Sequence, residues 1–95
     1  MSVYVIVNIN IHDLPAYEAY KTGAPPLVSK HGGEYIARGG AIHVLEGDWK
    51  PIRVALLKFP DIHSVNAFLE DPEYQPLKAL RHSIAHTQMV AVEGM

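Results

Sequence analysis

Three arginines and five tyrosines are the side chains of this sequence with the clearest chemical potential. A guanidinium binds a carboxylate through paired hydrogen bonds, and a tyrosine hydroxyl can donate a hydrogen bond to a developing oxyanion. Arg38 and Arg81 could therefore hold a carboxylate or an enolate between them, with a tyrosine as donor. The chain has no cysteine, which excludes thiolate nucleophiles, zinc–thiolate sites, iron–sulfur clusters and disulfides.

Six histidines are many for a chain of this length, but only His82 and His86 have the spacing of metal ligands. At i and i+4 they would share one helix face, provided that the helix extends to His86. A zinc site needs at least three protein ligands, and no carboxylate neighbours the pair in sequence. The sequence therefore predicts no metal site. His82 alone is a candidate general base or hydrogen-bond donor in a cleft.

Each of these polar residues also has a structural explanation. Arg38 could be a solvated charge at a strand edge, and Glu46 could simply pair with Arg53 across a hairpin. Tyr17 and Tyr20 lie at i and i+3 on one helix face, where tyrosines often belong to the core and bond only through their hydroxyl tips. The residues alone leave both alternatives open.

Length and composition narrow the possible classes of protein. Ninety-five residues predict one domain, and 48% apolar against 19% charged residues predict a globular protein with some apolar surface in an interface. A net charge of -2 with no basic run argues against nucleic-acid binding. The glycine pairs do not open a helix from a strand, as a phosphate-binding loop must, so no nucleotide cofactor is expected. The apolar run 3–9 is too short to cross a membrane, and we expect a soluble, cytoplasmic protein.

The glycine-rich stretch 32–47 is predicted to position several of these candidates. It has the pattern of two short strands hinged at Gly39-Gly40. Strict alternation along the first strand would place Glu34 and Arg38 on one face and Tyr35 on the other.

The remaining elements follow from hydrophobic periodicity and capping residues. Strands are predicted at 3–9, 52–59 and 88–92. A helix capped by Asp13 would be kinked or split by Pro25 and Pro26 and end near His31, and further helices would be capped by Asp61 and Asp71. This order is the split βαβ arrangement of the α+β ferredoxin-like fold, with an antiparallel sheet and helices on one face. A homodimer packed sheet against sheet would cover the other face.

Five segments of the chain together form a recognisable pattern: Ala16–Tyr20, Lys30–Gly40, Val44–Trp49, Phe59-Pro60 and Pro72–Arg81. With these segments, nearly the whole chain resembles a known family, the domain of unknown function 1330 in the dimeric α+β barrel superfamily. The resemblance implies a ferredoxin-like subunit that dimerises through its sheet, with a cleft between sheet and helices. Related superfamily branches look like cofactor-independent monooxygenases, muconolactone isomerases and haem-degrading enzymes, and their activities come only by analogy of fold.

Together these observations predict a homodimer whose mostly apolar cleft takes a small organic acid or aromatic compound without a cofactor. A monooxygenase- or isomerase-like enzyme is one hypothesis, and a non-catalytic ligand-binding or dimerisation module is the other. If Arg38, Tyr74 and Arg81 pointed to solvent or into separate salt bridges, the enzyme hypothesis would lose its physical support. The predicted catalytic residues are Arg38 and His82, and the predicted substrate-binding residues are Tyr17, Tyr20, Glu46, Arg53, Tyr74 and Arg81.

Overall fold

A computed structural model describes all residues 1–95 and contains four strands and three helices. In chain order they are β1 (Val3–Ile11), α1 (Leu14–Lys30), β2 (Glu34–Arg38), β3 (Val54–Phe59), α2 (Ile62–Glu70), α3 (Gln75–Ile84) and β4 (Ala85–Glu93). The strands form one antiparallel sheet in the order β2-β3-β1-β4. This is the predicted α+β ferredoxin-like arrangement.

The helices cover one face of the sheet, which we call the covered face. Val3, Val5, Val7 and Ile9 point into it from β1 and are buried, whereas the residues between them are only half-buried. This strict alternation is what a strand shows when one face is packed and the other is open. The opposite side, which we call the open face, carries no helix.

A β-bulge in β2 changes which side chains reach the covered face. Tyr35 pairs with Leu57 and Arg38 pairs with Ala55, so one extra residue of β2 has no partner between them. Leu57 and Ala55 lie two apart on β3 and share the covered face, and Tyr35 and Arg38 therefore share it as well. The predicted alternation, with Arg38 opposite to Tyr35, is wrong because it assumed an unbroken register.

The predicted glycine-hinged hairpin is also wrong in its second half. Residues 39–53 contain no strand, and β2 pairs directly with β3 instead. Gly39 does turn the chain, with φ of 71°. Strand β3 takes the pairing position beside β2 that the second hairpin strand was predicted to take. The segment after Gly40 forms an exposed loop that includes His43 and Glu46. We call residues 39–53 the β2–β3 loop.

Two helix predictions need correction. Helix α1 is a single element through Pro25 and Pro26, so the alternative of two separate pieces is wrong. Continuing the helix past the prolines places Leu27 and Val28 in the core, and that burial favours the unbroken form. Asp71 is not the N-cap of α3, which begins at Gln75. Its carboxylate instead accepts the backbone N–H of Glu73, whereas Asp13 and Asp61 cap α1 and α2 as predicted.

The open face presents an apolar stripe that crosses several strands. Its members pair side by side through β1, with Ile6 between Leu56 and Val90, and Tyr4 beside Val92. Val90 is 60% exposed and Val92 51% exposed, which is unusual for β-branched residues within a sheet. None of the helices is long and apolar enough to cross a membrane.

Candidate functional site

A cavity of about 50 Å³ lies between the helices and the covered face. All three arginines of the chain line it: Arg38 from β2, Arg53 from the end of the β2–β3 loop, and Arg81 from α3. Lys21 of α1 adds a fourth cationic group, and no aspartate, glutamate or histidine is among the lining residues. The remaining lining side chains are tyrosines and apolar residues. The result is a mostly apolar cavity with a concentrated positive charge and no negative charge.

Each arginine lies against the face of a tyrosine ring. The Arg38 Cζ is 4.8 Å from the ring centroid of Tyr35. The Arg53 Cζ is 5.7 Å from Tyr17, and the Arg81 Cζ is 5.9 Å from Tyr20. Cation–π contacts of this kind hold a guanidinium in place without consuming its hydrogen-bond donors. The donors of Arg53 and Arg81 therefore stay available to a bound group.

Arg81 is the most deeply placed of the three. Only 4% of it is exposed, and its buried Nε has no hydrogen-bond partner. The salt bridges of the molecule involve Lys30, His31 and the acidic residues Asp71 and Glu73, so none of the arginines is paired with a carboxylate. A buried charge without a counter-charge is costly, and such groups are normally paired. An anion in this cavity would supply the missing partner.

The hydroxyls of Tyr20 and Tyr74 form a short hydrogen bond of 2.6 Å in the same cavity. Tyr74 is fully buried, so this bond satisfies a hydroxyl that water does not reach. Burial raises the pKa of Tyr20 well above its usual range, and the Tyr74 hydroxyl raises it further. Tyr20 is therefore neutral at physiological pH. A hydrogen bond between two hydroxyls uses only one of their two protons, so the other remains free to be donated to a bound anion.

Tyr17 and Tyr35 are influenced by the same arginines. Burial raises the pKa of the Tyr17 hydroxyl, while Arg53, Arg38 and Arg81 act in the opposite direction. Burial likewise raises the pKa of Tyr35, and Arg38 opposes it. All three guanidiniums thus lie close enough to Tyr17 to favour negative charge at its position, and they would favour a bound anion there in the same way.

The structure brings six of the eight predicted site residues to this cavity and leaves two outside. The six are Tyr17, Tyr20, Arg38, Arg53, Tyr74 and Arg81. His82 is exposed on α3 and does not line the cavity, and Glu46 lies in the exposed β2–β3 loop with no salt bridge to Arg53. His82 and His86 do not share a helix face, because α3 ends at Ile84 and His86 belongs to β4. No group of three or more potential metal ligands is formed.

Two polar residues of the cavity, Lys21 and Tyr35, were missed from the sequence. Lys21 lies four residues after Tyr17 on α1, so helical spacing alone would have placed it beside that tyrosine. Tyr35 reaches the cavity from β2 together with Arg38 only because of the bulge, and nothing in the local sequence reveals that irregularity.

A second polar cluster lies outside the cavity and joins α1 to the turn before α3. The buried Asp71 carboxylate contacts the His31 Nε2 at 2.8 Å and the Lys30 Nζ at 3.0 Å. These bonds, led by His31, hold the pKa of Asp71 well below its usual range. The residues of the cluster line neither the arginine cavity nor the groove under the β2–β3 loop, and we interpret the cluster as a structural connection between the helices.

A wider groove runs beneath the β2–β3 loop on the open face. It has a volume of about 520 Å³ and is lined mainly by apolar residues, among them Ile42 and Trp49 of the loop and Leu56 of the sheet. Trp49 is largely exposed. The loop thus extends the apolar surface of the open face beyond the edge of the sheet.

Comparison with solved structures shows the same fold in proteins of low sequence identity. A protein of unknown function from Rhodopseudomonas palustris has a TM-score of 0.78 at 15% identity, over 99% of this chain and 82% of that one. SnoaB, a cofactor-independent oxygenase from Streptomyces nogalater, has a TM-score of 0.72 at 13% identity, over 99% and 93%. A dimeric ferredoxin-like protein of unknown function from Jannaschia sp. CCS1 has a TM-score of 0.69 at 14% identity, over 99% and 100%. At these identities the likeness shows the fold alone.

No curated protein matches the sequence. The family model described as domain of unknown function 1330 matches residues 2–95, almost the entire chain. The protein therefore belongs to this family, as the resemblance of its motifs implied.

Proposed function

We propose that the protein is a homodimer whose helix–sheet cavity binds a small organic acid or an ionisable aromatic compound as its anion. The observation that carries this proposal is that all three arginines line one cavity without a single carboxylate among the lining residues. An anionic ligand would neutralise the buried Arg81, and the apolar lining would contact the rest of the molecule.

The cavity is also suited to stabilising an enolate or a phenolate. When a phenol ionises, its O–H bond breaks and the electron pair stays on oxygen. When a ketone forms an enolate, an α C–H bond breaks and the electron pair is delocalised onto the carbonyl oxygen. In both cases the proton leaves to solvent. Guanidiniums held in an apolar environment favour the resulting anion more strongly than water-exposed ones do. A cofactor-independent oxygenase or isomerase reaction would start from this anion. The fold shared with SnoaB, a cofactor-independent oxygenase, supports this direction.

The first experiment measures the ionisation of a bound chromophoric phenol, 4-nitrophenol, by its absorbance as a function of pH. We expect the apparent pKa of the bound phenol to fall by about one to three units relative to solution, because opposite charge favours the ionised form. Arg81→Met should remove most of the shift. Lys78→Met is the matched control, since it removes a positive charge from the same helix outside the cavity. A bound phenol that titrates as in solution, or equal behaviour of the two variants, would contradict the proposal.

A non-catalytic ligand-binding module is the second candidate, and one observation favours it. The cavity lining contains no aspartate, glutamate or histidine that could act as a general base, and His82 lies outside it. Oxygen consumption and product formation with a series of enolisable aromatic ketones distinguish the two candidates. Turnover that is lost in Arg81→Met and retained in Lys78→Met supports an enzyme. Tight binding of these ketones without turnover supports a binding module.

The dimer interface that we propose is the open face. Its apolar stripe, including Ile6, Leu56 and Val90, is continuous across β3, β1 and β4 and has no covering element within the chain. A two-fold axis would bury the stripe against its own copy, so that one surface serves both subunits. A structural neighbour of the same fold is dimeric, which agrees with this assembly.

Sedimentation velocity over a range of protein concentrations tests the interface. Val90→Glu places a charge in the centre of the proposed contact and should shift the protein to monomers. Leu14→Glu is the control, because Leu14 is similarly exposed but belongs to the first turn of α1 and not to the sheet. Dimers that persist in Val90→Glu, or a monomeric wild-type protein, would contradict the proposed interface.

A further inference from the structure

We infer that the molecule taken by the cavity carries two anionic groups, one bound at the buried Arg81 and the other nearer the cavity entrance at Arg53 and Arg38. This inference rests on the proposed function, because it specifies the class of compound that the same cavity binds. It predicts a small dicarboxylate or an equivalent dianion as ligand, in place of a simple monocarboxylate.

Charge balance is the first argument for two anionic groups. The lining residues include Arg38, Arg53, Arg81 and Lys21 and no acidic residue, although the chain as a whole has a net charge of -2. The positive charge is therefore concentrated at the cavity. A monoanion would neutralise Arg81 and leave the other cations of the lining without a partner, which is unfavourable for those removed from water.

The arginines also lie at different depths. Arg81 is almost fully buried on α3, Arg53 is half-buried, and Arg38 belongs to an exposed part of β2. Arg81 and Arg53 lie against different tyrosines, Tyr20 and Tyr17, whose stacked rings have centroids 5.5 Å apart. This arrangement provides an inner and an outer cationic group along a shared aromatic wall.

The backbone makes specific room for the outer group. An ideal Cβ placed on Gly39 would lie only 2.9 Å from Nη2 of Arg53, closer than a real Cβ ever comes. The Arg53 guanidinium therefore packs directly on the backbone of a glycine with positive φ. The Arg53 guanidinium lines the cavity from this position, where it can meet a second anionic group.

The cavity volume of about 50 Å³ fits this two-point recognition. That space holds a few water molecules or one small polar group. A larger compound must displace side chains at the entrance. Arg38 and Arg53 are the more exposed of the three arginines and are therefore the ones able to move. The inner anion would enter the preformed space, and the outer arginines would close over the second anion.

Calorimetric titration with five aromatic probes tests the inference. Phthalate, isophthalate and terephthalate are dianions with three different spacings, benzoate is the matched monoanion, and benzyl alcohol is neutral. We expect at least one dicarboxylate to bind about ten-fold or more tightly than benzoate, because a second desolvated ion pair forms only with the dianion. Benzyl alcohol should bind most weakly.

Single substitutions assign the two anionic groups. Arg53→Met should weaken the best dicarboxylate by a larger factor than benzoate, and should thereby remove the advantage of the dicarboxylate. Arg81→Met should weaken both acids. Lys78→Met, outside the cavity, should change neither. Circular dichroism of each variant checks that it is folded.

The outcomes separate this inference from the proposed function. If benzoate binds as tightly as every dicarboxylate, or if the dicarboxylate advantage survives in Arg53→Met, the dianion inference is wrong and the anion-binding cavity stands. If benzyl alcohol binds best, both the dianion and the anion proposals are wrong and an apolar binding site remains. If none of the five probes binds, the proposed ligand class fails together with the inference.

Discussion

The covered face and the open face of the sheet are built from the same strands but differ in what they bury. Leu57 and Leu56 are neighbours on β3, and Leu57, on the covered face, is only 6% exposed whereas Leu56, on the open face, is half-buried. The covered face completes its packing within the chain. The open face leaves a continuous apolar stripe and an apolar loop unpacked. Stability of the subunit therefore depends on one face, and we attribute assembly to the other.

Polar groups divide between the two faces in a different way. The covered face admits the three arginines and the Tyr20–Tyr74 hydroxyl pair, each at or near the cavity. The polar groups of the open face, such as Glu34 and Lys58, are at least partly exposed and need no special partner. Buried polar groups cost free energy unless they are satisfied, so the buried Arg81 in this cavity supports the anionic ligand that we propose.

The largest expected difference between the faces comes from the two leucines of β3. Leu57→Ala should lower the free energy of unfolding by about 2–5 kcal/mol, as truncation of a buried leucine usually does. Leu56→Ala should cost less than about 1 kcal/mol in the monomer, because Leu56 is only partly packed there. Urea denaturation of both variants at several protein concentrations measures the two effects.

The concentration dependence distinguishes the faces further. The loss in Leu57→Ala should be the same in dilute and concentrated protein, since the contacts lie within one chain. The loss in Leu56→Ala should increase with concentration, because dimerisation adds stability that this variant lacks. Equal losses at all concentrations would mean that Leu56 makes no contact between subunits.

The next prediction concerns the stability of the fold at acidic pH, which we expect to depend on one buried carboxylate on the helix side of the sheet. The unfolded chain protonates Asp71 near pH 4, whereas the folded chain resists protonation because His31, the Glu73 N–H and Lys30 hold the pKa of this carboxyl low. Unfolding at low pH therefore takes up a proton. The stabilisation is complete above about pH 5 and declines as the pH falls through 4 toward the pKa of the folded state.

Asp71→Asn should accordingly reduce the melting temperature at pH 7 and flatten its dependence on pH between 5 and 3. Glu34→Gln, at an exposed position of the open face, is the control and should change neither quantity. Thermal denaturation at intervals of half a pH unit measures both variants. An unchanged acid dependence in Asp71→Asn would show that other carboxylates govern acid unfolding.

Much of this architecture follows from sequence pattern, and the corrections have specific physical causes. The order of elements could be predicted because periodicity and capping are local properties, and Asp13 and Asp61 cap their helices as expected. The second hairpin strand could not be excluded, because pairing of β2 depends on which distant strand competes for its edge. The end of α3 before His86 was likewise set by nonlocal pairing of β4 with β1.

The candidate site, like the fold, could be predicted from the sequence only in part. The sequence identified the arginines and tyrosines by their chemistry, but only the fold could show that six of the eight chosen residues line one cavity. Arg38 reaches it through a bulge that reverses strict strand alternation. His82 and Glu46 were chosen by the same reasoning and lie elsewhere. The roles of the six residues in binding or catalysis remain predictions.

The third comparison is between a tyrosine of α1, which packs over the covered face, and a tyrosine of the open face. Tyr20→Phe removes the partner of the fully buried Tyr74 hydroxyl, and an unsatisfied buried donor costs about 1–3 kcal/mol. Tyr4→Phe on the open face removes a hydroxyl that is not fully buried and should change stability by less than about 0.5 kcal/mol. Chemical denaturation compares the two. A smaller loss in Tyr20→Phe than in Tyr4→Phe would indicate that the hydroxyl pair contributes nothing to folding.

The smallest effect, and the most informative for the site, comes from adjacent glycines at the end of β2. Gly39 has φ of 71° and packs against Arg53, whereas Gly40 lacks positive φ and has open space where a Cβ would lie. Gly39→Ala should cost about 1–2 kcal/mol from its left-handed backbone and push the Arg53 guanidinium away from its place. Gly40→Ala should be nearly neutral.

Ligand affinity measures the second effect of Gly39→Ala. Because Arg53 is a flexible side chain, displacing its guanidinium costs little stability and is detected as a change in ligand affinity. We therefore expect Gly39→Ala to reduce the preference for a dicarboxylate over benzoate, while Gly40→Ala preserves it. A retained preference in a destabilised Gly39→Ala protein would show that the glycine serves only the turn and that Arg53 does not depend on it.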